Sequence, residues 1–267
     1  AVAPGGVQVT LDDGTTLSAR LLVGAHGRGS GVASRAGITR RGWGYGQTAL
    51  VCALDHELPH QGIAWQYFMP TGPLAILPLP GNRSSIVWSE TDANARTIAA
   101  LPDADFLAVL RPRFGDFLGE VTLAGPRFSY PLSLSLAESY VAARIALVGD
   151  AAHGVHPIAG QGLNLGLRDV AALAEVVVEA ARRGEDIGAP DVLERYQRWR
   201  RFDATAMGLG MDRVNALFSN DNPLLRGARG LGMGLVTAIP TLRRGFMRQA
   251  AGLSLEPMPR LLTGRPL

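Results

Sequence analysis

The fold is decided by one stretch, Arg144-Ile-Ala-Leu-Val-Gly149-Asp150-Ala-Ala-His153-Gly-Val-His156-Pro157-Ile-Ala-Gly160-Gln161-Gly162-Leu163-Asn164-Leu-Gly166-Leu-Arg168-Asp169. Ile145 to Val148 is a short apolar run that Gly149 and Asp150 end, which predicts a buried strand followed by a turn. A helical repeat of apolar residues then predicts a long helix that begins near Gly162, and its members are Leu163, Leu167, Val170, Ala174, Val177, Val178 and Ala181.

The order strand, acidic turn, glycines and helix has chemical consequences. Glycines at the start of a helix let another group approach the backbone closely, and the free N–H groups and the helix dipole favour negative charge there. Asp150, at the carboxyl end of the strand, can accept hydrogen bonds from the hydroxyls of a ribityl or ribose chain. An ordinary strand-to-helix turn with Asp150 as a cap has the same spacing, so spacing alone leaves both interpretations open.

The segment from Gly149 to Asp169 resembles the second flavin-binding motif of the single-component FAD-dependent aromatic hydroxylases, most of all their ubiquinone-biosynthesis branch. The resemblance implies that Asp150 holds the ribityl chain of FAD and that the start of the helix faces N1 and O2 of the flavin. Reduction places negative charge on those atoms, which agrees with the helix dipole. The residues that the resemblance assigns to the cofactor in this motif are Gly149, Asp150, Pro157, Gly160, Gln161, Gly162, Leu163 and Asn164.

A second glycine-rich loop, Gly24-Ala-His26-Gly-Arg-Gly-Ser-Gly31, follows a predicted β-hairpin whose second strand continues to Val23. In the family, this place carries Gly-Ala-Asp-Gly near the FAD and the nicotinamide path, so the resemblance assigns His26 to the cofactor. A neutral imidazole can accept one hydrogen bond but supplies no fixed negative charge. We therefore expect His26 to alter the usual role of this position.

Composition limits the classes of chemistry. The 267 residues are 47% hydrophobic and 18% charged, which is typical of a globular chain with one sizeable core or two modest ones. All 26 basic residues are arginine, which excludes Schiff-base lysines and the phosphate-loop lysine. The single cysteine, Cys52, excludes an intrachain disulfide and a cysteine zinc site, and we expect it to be a core residue.

The middle of the chain predicts an antiparallel sheet with strands at Gln47 to Asp55, Ile63 to Met69, Pro73 to Leu79, Ser84 to Glu90 and Arg127 to Leu134. Thr91 and Asp103 are the predicted caps of two helices between these strands. The resemblance identifies the region as a substrate domain with one sheet face over the flavin. The candidate substrate contacts are Gln47, Trp65 and Phe68, although large aromatic side chains mostly fill interiors.

The last third of the chain is helical and basic. Asp191 is the predicted cap of a helix from Val192 to about Ala216, which Asp221-Asn-Pro ends. From Arg182 onward there are 14 arginines and 8 acidic residues. Apolar residues lie beside Arg243, Arg244 and Arg248, a pattern typical of a helix that binds at the surface of an anionic lipid bilayer. The same pattern is typical of a helix that packs on its own domain and exposes a charged face to solvent.

Together these patterns predict a mixed α/β (α+β) fold. It comprises a partial FAD-binding Rossmann-like domain (1–42 and 140–184), an antiparallel-sheet substrate domain (43–139) and a C-terminal helical region (185–267). The family opens with a βαβ unit bearing Gly-x-Gly-x-x-Gly, and nothing before Val7 supplies it. We therefore expect the chain to be the N-terminally truncated part of a hydroxylase and to be inactive alone.

The resemblance implies an FAD-dependent, NAD(P)H-utilising monooxygenase that hydroxylates a polyprenylphenol of ubiquinone biosynthesis through a flavin C4a-hydroperoxide. The cofactor carries that chemistry, which agrees with the absence of nucleophile and base motifs from the sequence. His153 and His156 are candidate acid–base groups, or structural histidines. A metal is rejected because no carboxylate set accompanies them.

Two alternatives stay open at this point, namely a flavin monooxygenase that acts on another aromatic or terpenoid substrate, and an inactive truncated product that serves as a partner subunit. The expected partners are the prenylated phenol, O2, a complex of ubiquinone-pathway proteins and, by peripheral contact, the inner membrane. The expected location is cytoplasmic. No feature of the sequence indicates nucleic-acid binding.

Overall fold

The computed structural model describes residues 1–219, 230, 232, 234, 236–250 and 257–267. The chain forms two compact units. The first consists of Ala1–Trp43, Ser133–Asp212 and Thr237–Leu267, and the second of Gly44–Leu132 and Arg213–Val236. The predicted mixed fold of helices and largely antiparallel sheets is confirmed. The contact-based units differ from the three predicted regions, chiefly because residues 185–212 belong to the first unit, and those regions stay a prediction.

The strands of the described residues are β1 Val2–Ala3, β2 Gly6–Thr10, β3 Thr16–Ala19, β4 Leu22–Gly24, β5 Arg40–His56, β6 Trp65–Met69, β7 Gly72–Leu79, β8 Arg83–Thr91, β9 Val121–Leu123, β10 Phe128–Ala137, β11 Val141–Ala142, β12 Ile145–Leu147 and β13 His153–Gly154. The helices are α1 Gly31–Arg35, α2 Asp92–Ala99, α3 Asp103–Phe114, α4 Gln161–Arg182, α5 Pro190–Phe218 and α6 Pro240–Ala250. Short 3-10 turns cover Gly149–Ala151, Pro157–Ala159 and Arg260–Thr263.

The first unit opens with the predicted hairpin, in which β2 and β3 pair antiparallel with Val9 opposite Leu17. The expected continuation of its second strand to Val23 is wrong. Strand β3 ends at Ala19, and β4 joins a separate sheet of order β11, β12, β4, where Val23 lies opposite Ala146 in a parallel pair. The run is only partly buried, since Leu22 is half-buried and Val23 is 43% exposed.

Helix α4 follows β12 and confirms the predicted strand, turn and helix. Gly160 precedes it in the left-handed conformation with φ of 61°, which glycine adopts without strain. Its buried face carries Leu165, Ala172 and Val176. Leu163, Leu167 and Val170, which the helical spacing placed on one apolar face, are instead 73%, 50% and 51% exposed. The C-terminal segment binds this helix, because Nε of Arg260 donates to Oε1 of Glu175 over 3.0 Å.

The second unit is built on a sheet of order β10, β5, β8, β7, β6, with β9 paired to β5. The five predicted strands are present, four with ends shifted by one to three residues, whereas β5 begins at Arg40, seven residues before the predicted Gln47. Strand β9 was not predicted because three residues are too few to show alternation. The core lies where one sheet face meets α2 and α3, and its fully buried residues include Leu54, Leu74, Ile76, Ile86, Trp88, Phe106, Leu110 and Phe114. Cys52 is a core residue as expected, and burial raises the pKa of its thiol to about 11.

Of the three predicted helix caps, one is confirmed and two are wrong. Thr91 caps α2 as predicted, since its hydroxyl accepts from the backbone N–H of Asn94 over 3.3 Å. Asp103 is the first residue of α3 and Asp191 is the second residue of α5, so neither is a cap. Each follows a proline whose fixed φ suits a helix start, and each carboxylate lies in the first turn, where the helix dipole favours negative charge.

Part of the predicted C-terminal region falls outside the described residues, including the helix break at Asp221-Asn-Pro. Helix α6 carries Arg243, Arg244 and Arg248, all of them exposed. Across the part of the chain that the structure describes, no helix combines the length and hydropathy needed to cross a bilayer.

Candidate functional site

The turn after β12 packs directly on helix α4. Gly149 has φ of 59°, a conformation that other residues rarely adopt. A Cβ added at Gly166 would lie 3.4 Å from the Cα of Gly149, so the two backbones pack closely at this point. The two glycines therefore bring the turn that carries Asp150 against the first turns of the helix.

Asp150 is held by an arginine from the glycine-rich loop. Nε of Arg28 donates to Oδ2 of Asp150 over 3.0 Å, and the same guanidinium donates to the carbonyls of Ser133 and Val155 over 3.1 and 2.9 Å. The Asp150 side chain is still 40% exposed. Arg40 donates to the backbone carbonyl of Asp150 over 3.0 Å. Arg28 thus orients the carboxylate and Arg40 holds the backbone of the same residue, while the carboxylate keeps an exposed side for a ligand.

The start of α4 faces open space within the described structure. Gly160 supplies no side-chain cap, so the first N–H groups of the helix keep their positive potential. A Cβ added at Gly160 or Gly162 would meet no described atom within 4 Å. Leu163 is 73% exposed, and Asn164 is exposed with its Nδ2 3.4 Å from Oε1 of Gln161.

These residues fit the chemistry of FAD. A ribityl chain offers hydroxyl donors, which the half-exposed carboxylate of Asp150 can accept. A flavin ring gains negative charge on reduction, which the uncapped helix start stabilises. A broad flat ring needs a surface without side chains, which Gly160 and Gly162 provide.

A cluster of charged side chains lies beneath the turn, away from solvent. The carboxylate of Asp169 accepts from the backbone N–H of Gly149 over 3.0 Å, from Nε2 of His153, and from Nε of Arg200 over 2.8 Å. The side chains of Asp169, His153 and Arg200 have no exposed surface. Arg200 also donates to Asp203 over 3.0 Å. The turn is therefore bonded to both long helices of the first unit.

His156 is fully buried and holds the turn before α4. Its Nδ1 accepts from the backbone N–H of Ile158 over 3.1 Å. Burial, and then the positive charge of Arg28, lowers the pKa of His156 to about 4, so the imidazole is neutral at neutral pH. The interpretation of His153 and His156 as acid–base groups stays a prediction, and in the structure both rings bond to the protein.

His26 lies on the surface at the start of α1. Its Nε2 is 3.5 Å from the backbone N of Val32, beside the true cap, Ser30, which accepts from Ala33 over 3.2 Å. The contact from this loop to Asp150 comes from Arg28, two residues after His26. The predicted cofactor role of His26 stays a prediction.

The substrate candidates of the second unit separate onto two sheet faces. Gln47 is buried, donates to the carbonyl of Thr71 over 2.7 Å and accepts from Asn215 of α5 over 3.2 Å. Phe68 is 41% exposed and stacks at 4.3 Å on Phe218, also of α5. These two candidates therefore lie on the face that meets the end of α5.

Trp65 is on the opposite face. Phe68 lies three positions after Trp65 along β6, and side chains alternate along a strand, so the two point to opposite faces. Its ring lies 4.7 Å from that of Phe117, and it packs against the core cluster of the second unit. The structure does not bring Trp65 together with the other two candidates.

Sequence reasoning missed the partners of the turn, Arg28, Arg40, Asp169 and Arg200. Asp169 was part of the recognised motif without an assigned role. The signal that points to it is a carboxylate at helical spacing from Leu165, Ala172 and Val176, which are buried and apolar. The arginines gave no such signal because they are spread through an arginine-rich chain. Among the described residues, no group of three or more His, Cys, Asp or Glu side chains could hold a metal.

Comparison with known proteins places these residues in a family. Residues 2–208 match the family model described as FAD binding domain. The chain is 54% identical to ubiquinone hydroxylase UbiL of Rhodospirillum rubrum, over 98% of this chain and 62% of that protein. It is 40% identical to 3-demethoxyubiquinol 3-hydroxylase of Escherichia coli, over 92% of this chain and 63% of that protein. The chain thus spans about three fifths of the length of these curated relatives.

Solved structures give the same fold. Anhydrotetracycline hydroxylase OxyS of Streptomyces rimosus superposes with a TM-score of 0.70 at 26% identity, over 94% of this chain and 50% of that chain. The Diels-Alderase PyrE3 superposes with a TM-score of 0.77 at 23% identity, over 97% and 55%, which supports the fold alone.

Proposed function

The chain belongs to the FAD-binding family of aromatic hydroxylases, in the ubiquinone-biosynthesis branch, and from this premise we propose that it carries the flavin-facing part of a monooxygenase acting on a polyprenylated phenol. The supporting observation is the pairing of a half-exposed carboxylate with an open helix start. Asp150 would hold a ribityl hydroxyl of FAD, and the backbone N–H groups at the start of α4 would stabilise the negative charge that the flavin gains on reduction.

The side chains around this site bind and orient, and the cofactor supplies the oxygen-transfer chemistry when it is bound. Arg28 fixes the rotamer of Asp150 through its 3.0 Å bond. His156 is neutral at neutral pH and adds no charge to the site, so the start of α4 would supply positive potential from its backbone. The substrate in this proposal is an electron-rich phenol, because one relative is named a 3-demethoxyubiquinol 3-hydroxylase.

The reductant in this proposal is NAD(P)H, as is typical of the family, and the second substrate is O2. The candidate substrate surface is the sheet face of the second unit that bears Gln47 and Phe68. The amide of Gln47 already has two hydrogen bonds that fix its orientation. Because Gln47 is held in place, the residues beside it on that sheet face can contact a phenol at a defined position.

Helix α6 supports peripheral contact with anionic lipid as a finer part of the proposal. It has three exposed arginines, no acidic residue, and the exposed apolar side chains of Leu242 and Met247, 41% and 62% accessible. Apolar and basic residues on one exposed helix are what binding at a lipid headgroup layer requires. A substrate with a prenyl tail is found in the membrane, which gives such contact a purpose.

The test uses the full-length gene product. We expect the purified protein to bind FAD, and a polyprenylphenol to stimulate NAD(P)H oxidation and to be recovered with one added hydroxyl. Asp150→Ala should raise the dissociation constant for FAD about tenfold or more, because a hydrogen bond to a charged group contributes roughly 1.5–3 kcal/mol. Asp55→Ala, which removes an exposed carboxylate of the second unit, is the matched control. A wild-type protein that neither contains nor takes up FAD contradicts the proposal.

A further inference from the structure

Asp169 is the centre of the buried cluster, and its bonds reach three parts of the first unit. One oxygen, Oδ2, accepts from the backbone N–H of Gly149 and from Nε2 of His153, while Oδ1 accepts from Arg200. Gly149 immediately precedes Asp150. The orientation of the Asp150 backbone is therefore set by a carboxylate that no ligand can reach.

The cluster sets two carboxylates, Asp169 and Asp203, against two guanidinium groups, Arg200 and Arg168, with Arg168 at 3.7 Å from Asp203. To donate to Asp169, His153 carries a proton on Nε2. The bond therefore has a fixed direction, from the imidazole to the carboxylate.

A buried set of this kind is a poor source of stability, because desolvation offsets most of the attraction between the charges. What the cluster provides is a fixed orientation of the groups that it bonds, because each hydrogen bond requires a particular geometry. The bonds hold Gly149 and His153, the two ends of the turn, while the apolar contacts of the turn have no such preference.

We propose that Asp169, His153 and Arg200 are positioning residues that set the Gly149–His153 turn for FAD. They contact no reacting atom and act through the placement of Asp150. The inference rests on the proposed function, since the turn needs this accuracy only if it binds the cofactor. A misplacement of about 1 Å in a group that orients a reactant can cost about a hundredfold in rate.

The test compares His153→Leu with His153→Gln in the full-length gene product. The amide nitrogen of glutamine can reach the position of Nε2 and donate to Asp169, whereas leucine fills the space without a donor. We expect His153→Leu to raise the dissociation constant for FAD about tenfold and to change the visible circular dichroism of bound FAD. His153→Gln should restore both to within about threefold of the wild type. Arg183→Ala, at the exposed end of α4, is the control.

The outcomes separate the two proposals. A His153→Leu variant with wild-type FAD affinity and visible circular dichroism overturns the inference, whatever its melting temperature, because the cluster is then structural only. If His153→Leu does not fold, Arg200→Lys replaces it, since lysine keeps the charge and loses the Nε bond, and wild-type values in that variant also overturn the inference. Failure of the wild-type protein to bind FAD overturns the proposed function and the inference with it.

Discussion

Nε of Arg28 lies 3.0 Å from Oδ2 of Asp150, although 122 positions separate the two residues in the sequence. Through this pair the glycine-rich loop reaches the turn after β12. The same guanidinium bonds two backbone carbonyls, so it joins three segments of the first unit at one point.

Replacing Arg28 should loosen that junction. Arg28→Ala removes the donor to the carbonyls of Ser133 and Val155, and we expect the free energy of unfolding to fall by about 1–3 kcal/mol. Arg28→Lys should recover only part of the loss, because an ammonium lacks the planar fork. Urea unfolding followed by circular dichroism measures both. Arg83→Ala, which breaks an exposed pair, should have a smaller effect, and an equal loss of stability in the two alanine variants would contradict the prediction.

The neutral state of His156 predicts a pH dependence of stability. Its pKa in the folded protein is about 4, below the ordinary 6.5, so its contribution is complete above about pH 6.5 and is lost as the pH falls through 4. His156→Asn keeps an acceptor for the N–H of Ile158 and does not titrate. We expect the wild type to lose stability more steeply than this variant between pH 6.5 and 4. Parallel curves would show that His156 is not the group responsible.

Gly42 should tolerate no side chain. A Cβ at this position of β5 would overlap the backbone carbonyl of Leu134, whereas a Cβ at Gly44 would meet no described atom within 4 Å. Gly42→Ala should therefore destabilise the protein by about 1–3 kcal/mol through overpacking. Gly44→Ala should change stability by less than about 0.5 kcal/mol. The two melting temperatures give a direct comparison, and similar values would be inconsistent with the clash.

Contact of α6 with lipid can be measured on vesicles. Each arginine near an anionic surface contributes about 1 kcal/mol, so Arg243→Ala with Arg244→Ala should weaken binding to phosphatidylserine-containing vesicles about thirtyfold. Arg183→Ala with Arg198→Ala removes the same charge from exposed sites on α4 and α5 and should have little effect. Sedimentation of the full-length gene product with anionic and zwitterionic vesicles reports the affinity. Equal binding by both double variants would contradict a specific role for α6.

Periodicity made the main elements predictable. Apolar residues at helical spacing located α4, and alternation located the strands of the second unit, because each pattern is written in consecutive residues. The run from Leu21 to Val23 was wrongly joined to the hairpin strand, because consecutive residues show only the local pattern. Nothing local to it reveals that β4 pairs with β12, more than a hundred residues later.

The candidate site was likewise predictable from the sequence only in part. The motif identified Asp150 and the glycines before α4, since their order along the chain carries the signal. It did not identify Arg28 or Arg200 as partners of the turn, because those contacts exist only after distant segments pack together. Alternation along β6 does separate Trp65 from Phe68, and this separation was available from the sequence.

The buried set around Asp169 also has a consequence for how the first unit assembles. A carboxylate shut away from water without its arginine is strongly unfavourable, so states in which only α4 or only α5 has docked are poorly populated. The two helices and the turn should consequently form as one cooperative unit. The amide proton of Gly149 should then exchange with deuterium only when that whole unit opens, at a rate shared with the deepest residues of α4.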